Sequence, residues 1–374
     1  MVIRVAFHYL KRENHTSYNQ LKGLQGMNTQ KKWAIITGVI IIIVSALVAW
    51  GLYHHQQEER KHKQQREKVQ INNPNVKLFQ NITYNKRIPG SQLDVMMPDD
   101  VDKNTKLPVI FWMHGGGYVA GDKQYKNPLL SQIVEQGYVV VNVNYALAPN
   151  YKYPTPLVQL DDAVQFIKHN KERFPIDLDQ VVIGGDSAGA QLTSQYVAMQ
   201  TNSDLRHEMN FEQQFTPSQL KGAIFFGGFY DMKTVRATEF PRIQMFMHSY
   251  TGTTHWETDF KNISQMSTIN QVTKNYPATY LSVGDADPFY SQNKAFYQKL
   301  KEEDVPVSTL FYNGSHHLHH QYQFHLEKPE SKENLKRVLA FLSRNTSSSG
   351  VEQNQQSPFD GSISSDSSFS LSPY

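Results

Sequence analysis

Hydrophobic positions between residues 107 and 312 recur as short, unbroken runs rich in β-branched and aromatic side chains, at 107–114, 138–145, 180–185, 222–227, 279–284 and 307–312. Runs of this length without alternation predict strands covered on both faces, as in a parallel sheet. Segments between them have helical spacing and predict helices at 128–136, 156–174, 189–201, 292–303 and 332–344. In the second, Leu157, Leu160, Val164 and Ile167 make an apolar stripe, read as core packing. Residues 80–87 and 92–97 flank Ile88-Pro89-Gly90-Ser91 and predict a hairpin at the start of the domain. Sustained strand–helix alternation predicts an α/β, mostly parallel doubly wound sheet with helices on both faces. Ligands then bind at the carboxyl ends of its strands.

Residues 232–276 break the rhythm. They lie between two strands, are too long for one crossover, and carry Phe240, Met245, Phe246, Met247, Tyr250 and Trp256. They read as an inserted helical lid or pocket wall, the alternative being a plain crossover with a long loop. The globular domain is expected over 72–345, and the Ser- and Gln-rich 346–374 is expected to be a disordered tail.

Upstream, the pattern changes again. Residues 33–53 carry no charge from Ala34 to Ala49 and are flanked by Trp33, Trp50 and Tyr53. About 20 apolar residues span a bilayer core as a helix, and the aromatics suit its interfaces. The alternative is a cleaved signal peptide, but the run is long for one and no clear cleavage site follows. Lys31 and Lys32 precede the run, while Arg60, Lys61, Lys63, Arg66 and Lys68 follow it. The expected orientation rests on a short basic N-terminus staying in the cytosol. The reading is a single-pass signal anchor in the cell membrane with the large C-terminal part outside. Residues 1–32 form a short basic segment with Met27 as the expected true start, and 54–71 read as a charged stalk.

Composition narrows the chemistry. The chain has 374 residues, a formal net charge of +3 and no cysteine. Disulfides, thiolate metal sites and cysteine nucleophiles are therefore excluded. So weak a net charge gives no reason to expect a nucleic-acid partner.

Candidate chemistry centres on Gly185-Asp186-Ser187-Ala188-Gly189, with an apolar strand before it and a helix after it. That context makes the pattern a nucleophile elbow, with Ser187 at the tip of a tight turn. Gly185 and Gly189 leave room where strand and helix close on one another. His114-Gly115-Gly116-Gly117 follows the first long apolar run and reads as an oxyanion loop. Its donors are expected to be the N–H groups of Gly116 and Gly117, completed by that of Ala188. His114 reads as a brace for this loop. At the end of 279–284, Asp287 precedes Pro288 and is the expected acid, with Asp285 as a turn cap instead. After the last strand come His316, His317, His319 and His320, of which one need be the base. Their spacing and the lack of interleaved acids argue against a metal, and no cofactor is expected.

Four blocks together resemble the hormone-sensitive-lipase-like, HGGG-bearing esterases of the α/β-hydrolase fold: His114–Gly117, Tyr145-Ala146-Leu147-Ala148-Pro149 with Tyr153-Pro154, Gly185–Gly189, and Asp287-Pro288. The resemblance covers about residues 75–345 and extends to membrane-anchored members from Gram-positive bacteria. It implies Ser187 as nucleophile, Asp287 as acid, and Gly116, Gly117 and Ala188 as oxyanion donors. A common family pattern would make His317 the base. A subgroup pattern matching His320-Gln321-Tyr322-Gln323-Phe324 makes it His320, the longer match. The implied activity is serine carboxylesterase on short to medium acyl esters. A non-catalytic surface-binding protein and a serine peptidase on the same fold are the alternatives.

Overall fold

Eight strands form one sheet in the order β1-β2-β4-β3-β5-β6-β7-β8. They are β1 (Val76–Thr83), β2 (Gln92–Pro98), β3 (Leu107–Met113), β4 (Val139–Val143), β5 (Ile176–Asp186), β6 (Leu220–Phe226), β7 (Thr279–Val283) and β8 (Val307–Phe311). β2 runs antiparallel to β1 and β4, and all pairings from β4 onward are parallel. The computed structural model describes residues 71, 73–102 and 104–347, together with 28, 30, 33–34, 37–38, 40–41, 43–51 and 53. The chain divides into two units, Met1–Lys68 and Val69–Tyr374.

The period of two along each central strand sorts side chains into two cores. Val109, Phe111 and Met113 of β3 pack on one face with Val181 and Ile183 of β5, while Ile110, Trp112 and Val182 pack on the other. The second face is covered by α1 (Asn127–Val134) and the first by α2 (Thr155–His169) and α3 (Ala188–Thr201). The stripe Leu157, Leu160, Val164 and Ile167 lies fully buried in the first core.

Every residue of α3 is buried, including Gln191, Thr193, Ser194 and Gln195. A helix buried all round needs partners for its polar face. Residues 232–276 supply them. They fold into α5 (Ile243–Thr251), α6 (Trp256–Asp259) and α7 (Ile263–Met266), after the short α4 (Ser203–Glu208). Gln191 Nε2 donates to the Met266 carbonyl, and Tyr276 Oη donates to the Ser194 carbonyl. Trp256, Met247 and Tyr250 are fully buried. The segment is thus a packed helical layer rather than an open loop.

Several boundaries differ from expectation. The first hairpin strand starts at Val76 and ends at Thr83, bulged between Phe79 and Ile82, because Leu78 and Phe79 pair with Met96 and Val95. β5 begins at Ile176 rather than 180, since Leu107 pairs there. The helix expected to reach residue 174 stops at His169, where the Asn170 side chain donates to the Phe166 carbonyl. α4 had no apolar period to announce it. Further on lie α8 (Tyr290–Glu302) and α9 (Pro329–Asn345). The fold continues past 345: Thr346 is buried, with Oγ1 within 3.0 Å of Tyr138 Oη. Ile71, placed in the stalk by composition, packs on the second core. The remaining tail from 348, the start at Met27 and the stalk at 54–68 lie outside the described residues.

The described residues between Trp33 and Tyr53 are helical. Among the described residues, however, no helix is long and apolar enough to cross a membrane.

Candidate active site

β5 ends at Asp186 and α3 begins at Ala188, so Ser187 makes the whole turn, at φ +53° and ψ −120°. A non-glycine residue held there is strained and persists only where its surroundings fix it. Ser187 N donates to the Phe226 carbonyl at 2.8 Å, and the Ser187 carbonyl accepts from Gln191 N at 3.1 Å. The turn lets the helix pass against β3. A Cβ on Gly189 would stand 2.1 Å from the Met113 carbonyl oxygen and 2.6 Å from that of His114.

His320 Nε2 lies 2.9 Å from Ser187 Oγ, and its Nδ1 lies 2.7 Å from Asp287 Oδ2. Asp287 is 4 % exposed and its Oδ1 accepts from Phe289 N at 2.9 Å. The imidazole is boxed edge-on by Phe240 and Phe289, whose rings stack on each other at 4.3 Å. Ser187, His320 and Asp287 are therefore brought into one line. The other two candidates are placed elsewhere. His317 is exposed at φ +52°, and its backbone N–H bonds the Asp285 carboxylate. Asp285 accepts from the backbone N–H groups of Leu318 and His316 at 2.7 and 2.9 Å. Desolvation pushes its carboxyl up, but those backbone bonds outweigh it and hold the group below the usual 3.8. Asp285 fixes the path of the histidine loop.

His114–Gly117 curls over the elbow. Gly116 and Gly117 have φ +128° and +60°, and are partly exposed. The N–H groups of Gly116, Gly117 and Ala188 make no hydrogen bond among the described residues. A Cβ on Gly117 would meet the Phe246 ring at 2.6 Å, so α5 closes directly over the loop. His114 stacks on Tyr145 at 4.5 Å, and its Nδ1 contacts the Gly115 carbonyl at 2.7 Å. Burial pushes the His114 imidazole below its ordinary 6.5, so the neutral ring donates Nδ1–H to that carbonyl. The Gly115–Gly116 peptide is then pinned by its oxygen, which turns the Gly116 N–H the opposite way.

The sign of the resulting pH effect is fixed. The unfolded chain takes up a proton on His114 below 6.5 and the folded one resists it, so stability falls as pH drops through 6.5. Urea midpoints measured across that range should fall less steeply for His114→Asn than for the parent.

Sequence reasoning missed three side chains here. Lys126 and Gln321 converge on the Asp186 carboxylate, and Phe289 walls the imidazole. Lys126 sits in an unremarkable polar stretch, and no local pattern marks it. Pro288-Phe289 directly after the expected acid was the one available signal for Phe289.

A mostly parallel sheet with a strained serine at the β5–α3 turn, and an acid and a histidine on later strand ends, defines the α/β-hydrolase class. The chain belongs to this family: the sequence profile of the alpha/beta hydrolase fold matches residues 110–321. It is 30 % identical over 168 residues to "Probable carboxylic ester hydrolase LipM" of Mycobacterium tuberculosis, covering 45 % of this chain and 36 % of that protein. It is 25 % identical over 241 residues to "Esterase LipQ" of the same organism, covering 63 % and 55 %. The chain spans about half the length of the curated relatives it matches. The crystal structure of Esterase B from Lactobacillus rhamnosis shares the fold, with a TM-score of 0.66, 22 % identity, and coverage of 80 % of this chain and 96 % of that one.

Proposed function

We propose that this chain is a serine carboxylesterase acting on short to medium acyl esters. The observation that carries the reading is the line from Asp287 through His320 to Ser187, with contacts of 2.7 and 2.9 Å. His320 Nε2 takes the proton from Ser187 Oγ as the oxygen attacks the ester carbonyl carbon. The carbonyl oxygen gains negative charge beside the N–H groups of Gly116, Gly117 and Ala188, whose freedom from other partners among the described residues supports that role. Asp287 holds the imidazolium. His320 then returns the proton to the departing alcohol, leaving Ser187 acylated. Water, deprotonated by the same imidazole, attacks the acyl carbon; the bond from that carbon to Ser187 Oγ breaks, His320 returns the proton to Oγ, and the acid is released. The chemistry needs no metal or cofactor. The half-buried rings of Phe240 and Phe246 beside this line suit an apolar acyl or alcohol group.

Hydrolysis of p-nitrophenyl esters from acetyl to dodecanoyl tests the reading. The full chain should release nitrophenol with a burst near one equivalent and prefer the shorter acyl groups. A folded protein inert across the series would overturn it.

The uncharged run within residues 33–53 supports a second element of the proposal, a single-pass anchor with the C-terminal unit outside the cell. The full chain should then resist carbonate extraction from membranes, and its C-terminal unit should be digested by protease added to intact cells. Release by carbonate, or protection from protease, would count against it.

A further inference from the structure

Asp186 precedes the proposed nucleophile, and its carboxylate is fully buried. Four donors reach it from three separate segments. Oδ2 accepts from Gly115 N at 3.0 Å, from Lys126 Nζ at 2.7 Å and from Gln321 Nε2 at 2.6 Å; Oδ1 accepts from Trp112 Nε1 at 3.2 Å. Lys126 is itself nearly buried, with 9 % of its side chain exposed, and its ammonium lies 3.9 Å from the centre of the Phe324 ring. Lys126 is thus the charge partner of Asp186, and a buried carboxylate without one would be costly. His114 and Tyr145 also face this carboxylate, and burial keeps the first neutral and the second a phenol.

Gln321 bridges the two charges. Its Oε1 accepts from Lys126 Nζ at 3.3 Å while its Nε2 donates to Asp186. An amide between an ammonium and a carboxylate has one favourable orientation, because reversing it would set N–H against N–H and oxygen against oxygen. The ion pair therefore fixes the Gln321 side chain, and Gln321 is bonded to His320 through the backbone. Its own backbone is at φ +62°, a left-handed conformation that a non-glycine residue keeps only when held. No hydrogen bond of the His320 backbone N–H or carbonyl is formed among the described residues. The imidazole thus stays in place through Asp287, through the rings of Phe240 and Phe289, and through the tether at 321.

We propose that Gln321, clamped by the buried Lys126–Asp186 pair, is the positioning residue that holds His320 against Ser187. This role rests on the esterase reading and adds to it: the residue beside the nucleophile anchors the loop that carries the base. The same carboxylate oxygen holds Gly115 N, so the oxyanion loop, the elbow and the base loop meet on a single atom. Gln321 touches none of the reacting atoms and acts only through its neighbour.

The test compares the full chain with Gln321→Leu, which removes both side-chain bonds, and Gln321→Glu, which keeps the size but turns an oxygen toward Asp186. Each is assayed with p-nitrophenyl butyrate for kcat and KM separately, and by proton NMR for the downfield Nδ1–H resonance shared by His320 and Asp287. A misplaced base should lower kcat by about 10- to 100-fold with KM unchanged, and should broaden or shift that resonance. Wild-type kcat and an unmoved resonance in either folded variant would overturn the role. The parent is also treated with a fluorophosphonate, and its Ser187 is examined by mass spectrometry. A parent that hydrolyses the ester and is labelled at Ser187, beside indifferent variants, sinks the positioning role alone. A parent that does neither sinks the esterase reading and the positioning role with it.

Discussion

Replacing His320 by alanine is expected to lower ester turnover by about four orders of magnitude or more, and Ser187→Ala should do the same. The reason is shared. Without Nε2 at 2.9 Å, Ser187 Oγ keeps its proton and remains a weak nucleophile; without Oγ, the imidazole has nothing to activate. The double variant should therefore be no slower than either single one. His317→Ala should leave turnover unchanged, because His317 is exposed and touches neither Ser187 nor Asp287. Kinetics of the four proteins on p-nitrophenyl butyrate distinguish the two histidines directly. Loss of activity in His317→Ala with retention in His320→Ala would reverse the assignment.

Gly189→Ala is expected to damage both fold and site. In an ordinary helix the exchange would stabilise by about 1 kcal/mol, since alanine is the better helix former. Here the added methyl would sit 2.1 Å from the Met113 carbonyl oxygen. That oxygen is backbone of a central strand, held on both sides by β4 and β5, and cannot swing aside as a side chain would. Overpacking of this kind costs about 1–3 kcal/mol or more, so the clash outweighs the propensity. Calorimetry should show a melting temperature lower by roughly 5–10 °C. To relieve the contact, α3 must move off β3, which drags Ser187 from the oxyanion loop, so turnover should fall about 100-fold. A variant as stable and active as the parent would show that the elbow has more room than these distances allow.

These two predictions mark where the sequence was legible. The central strands were readable because both faces are covered, which demands unbroken apolar runs such as Val181-Val182-Ile183. The elbow was readable because close approach of two backbones admits only glycine at 185 and 189, and that demand is local. The base was less so: four histidines within five positions have the same chemistry, and the loop path decides among them. That path is set by Asp285 gripping the N–H groups of His316 and Leu318, a contact across more than thirty residues. The helices within 232–276 are too short to be marked by their own pattern: α5 has 9 residues, with Ile243, Met247 and Tyr250 buried, and α6 and α7 have 4 each. Lys126 illustrates the same limit. An isolated lysine in a polar stretch normally lies in solvent, and only the fold sets it against Asp186, sixty positions away.

The site's electrostatics follow from this assembly. In the proposed mechanism, a buried carboxylate beside Ser187 would oppose the negative charge that develops on the substrate oxygen. Lys126, 2.7 Å from Asp186, offsets that charge while leaving the carboxylate free to gather Gly115 and Gln321. Asp287 lies on the far side of His320, with Oδ2 2.7 Å from its Nδ1.

In the proposed mechanism Ser187 becomes covalently acylated with His320 as its base. Intact-mass and peptide mapping after reaction with a fluorophosphonate test it most directly, because the serine oxygen displaces fluoride from phosphorus and keeps the phosphonyl group. A single adduct is expected on Ser187, none on Ser187→Ala, and labelling of His320→Ala slower by several orders of magnitude. A parent protein that stays unmodified, or carries the adduct on another residue, would contradict it.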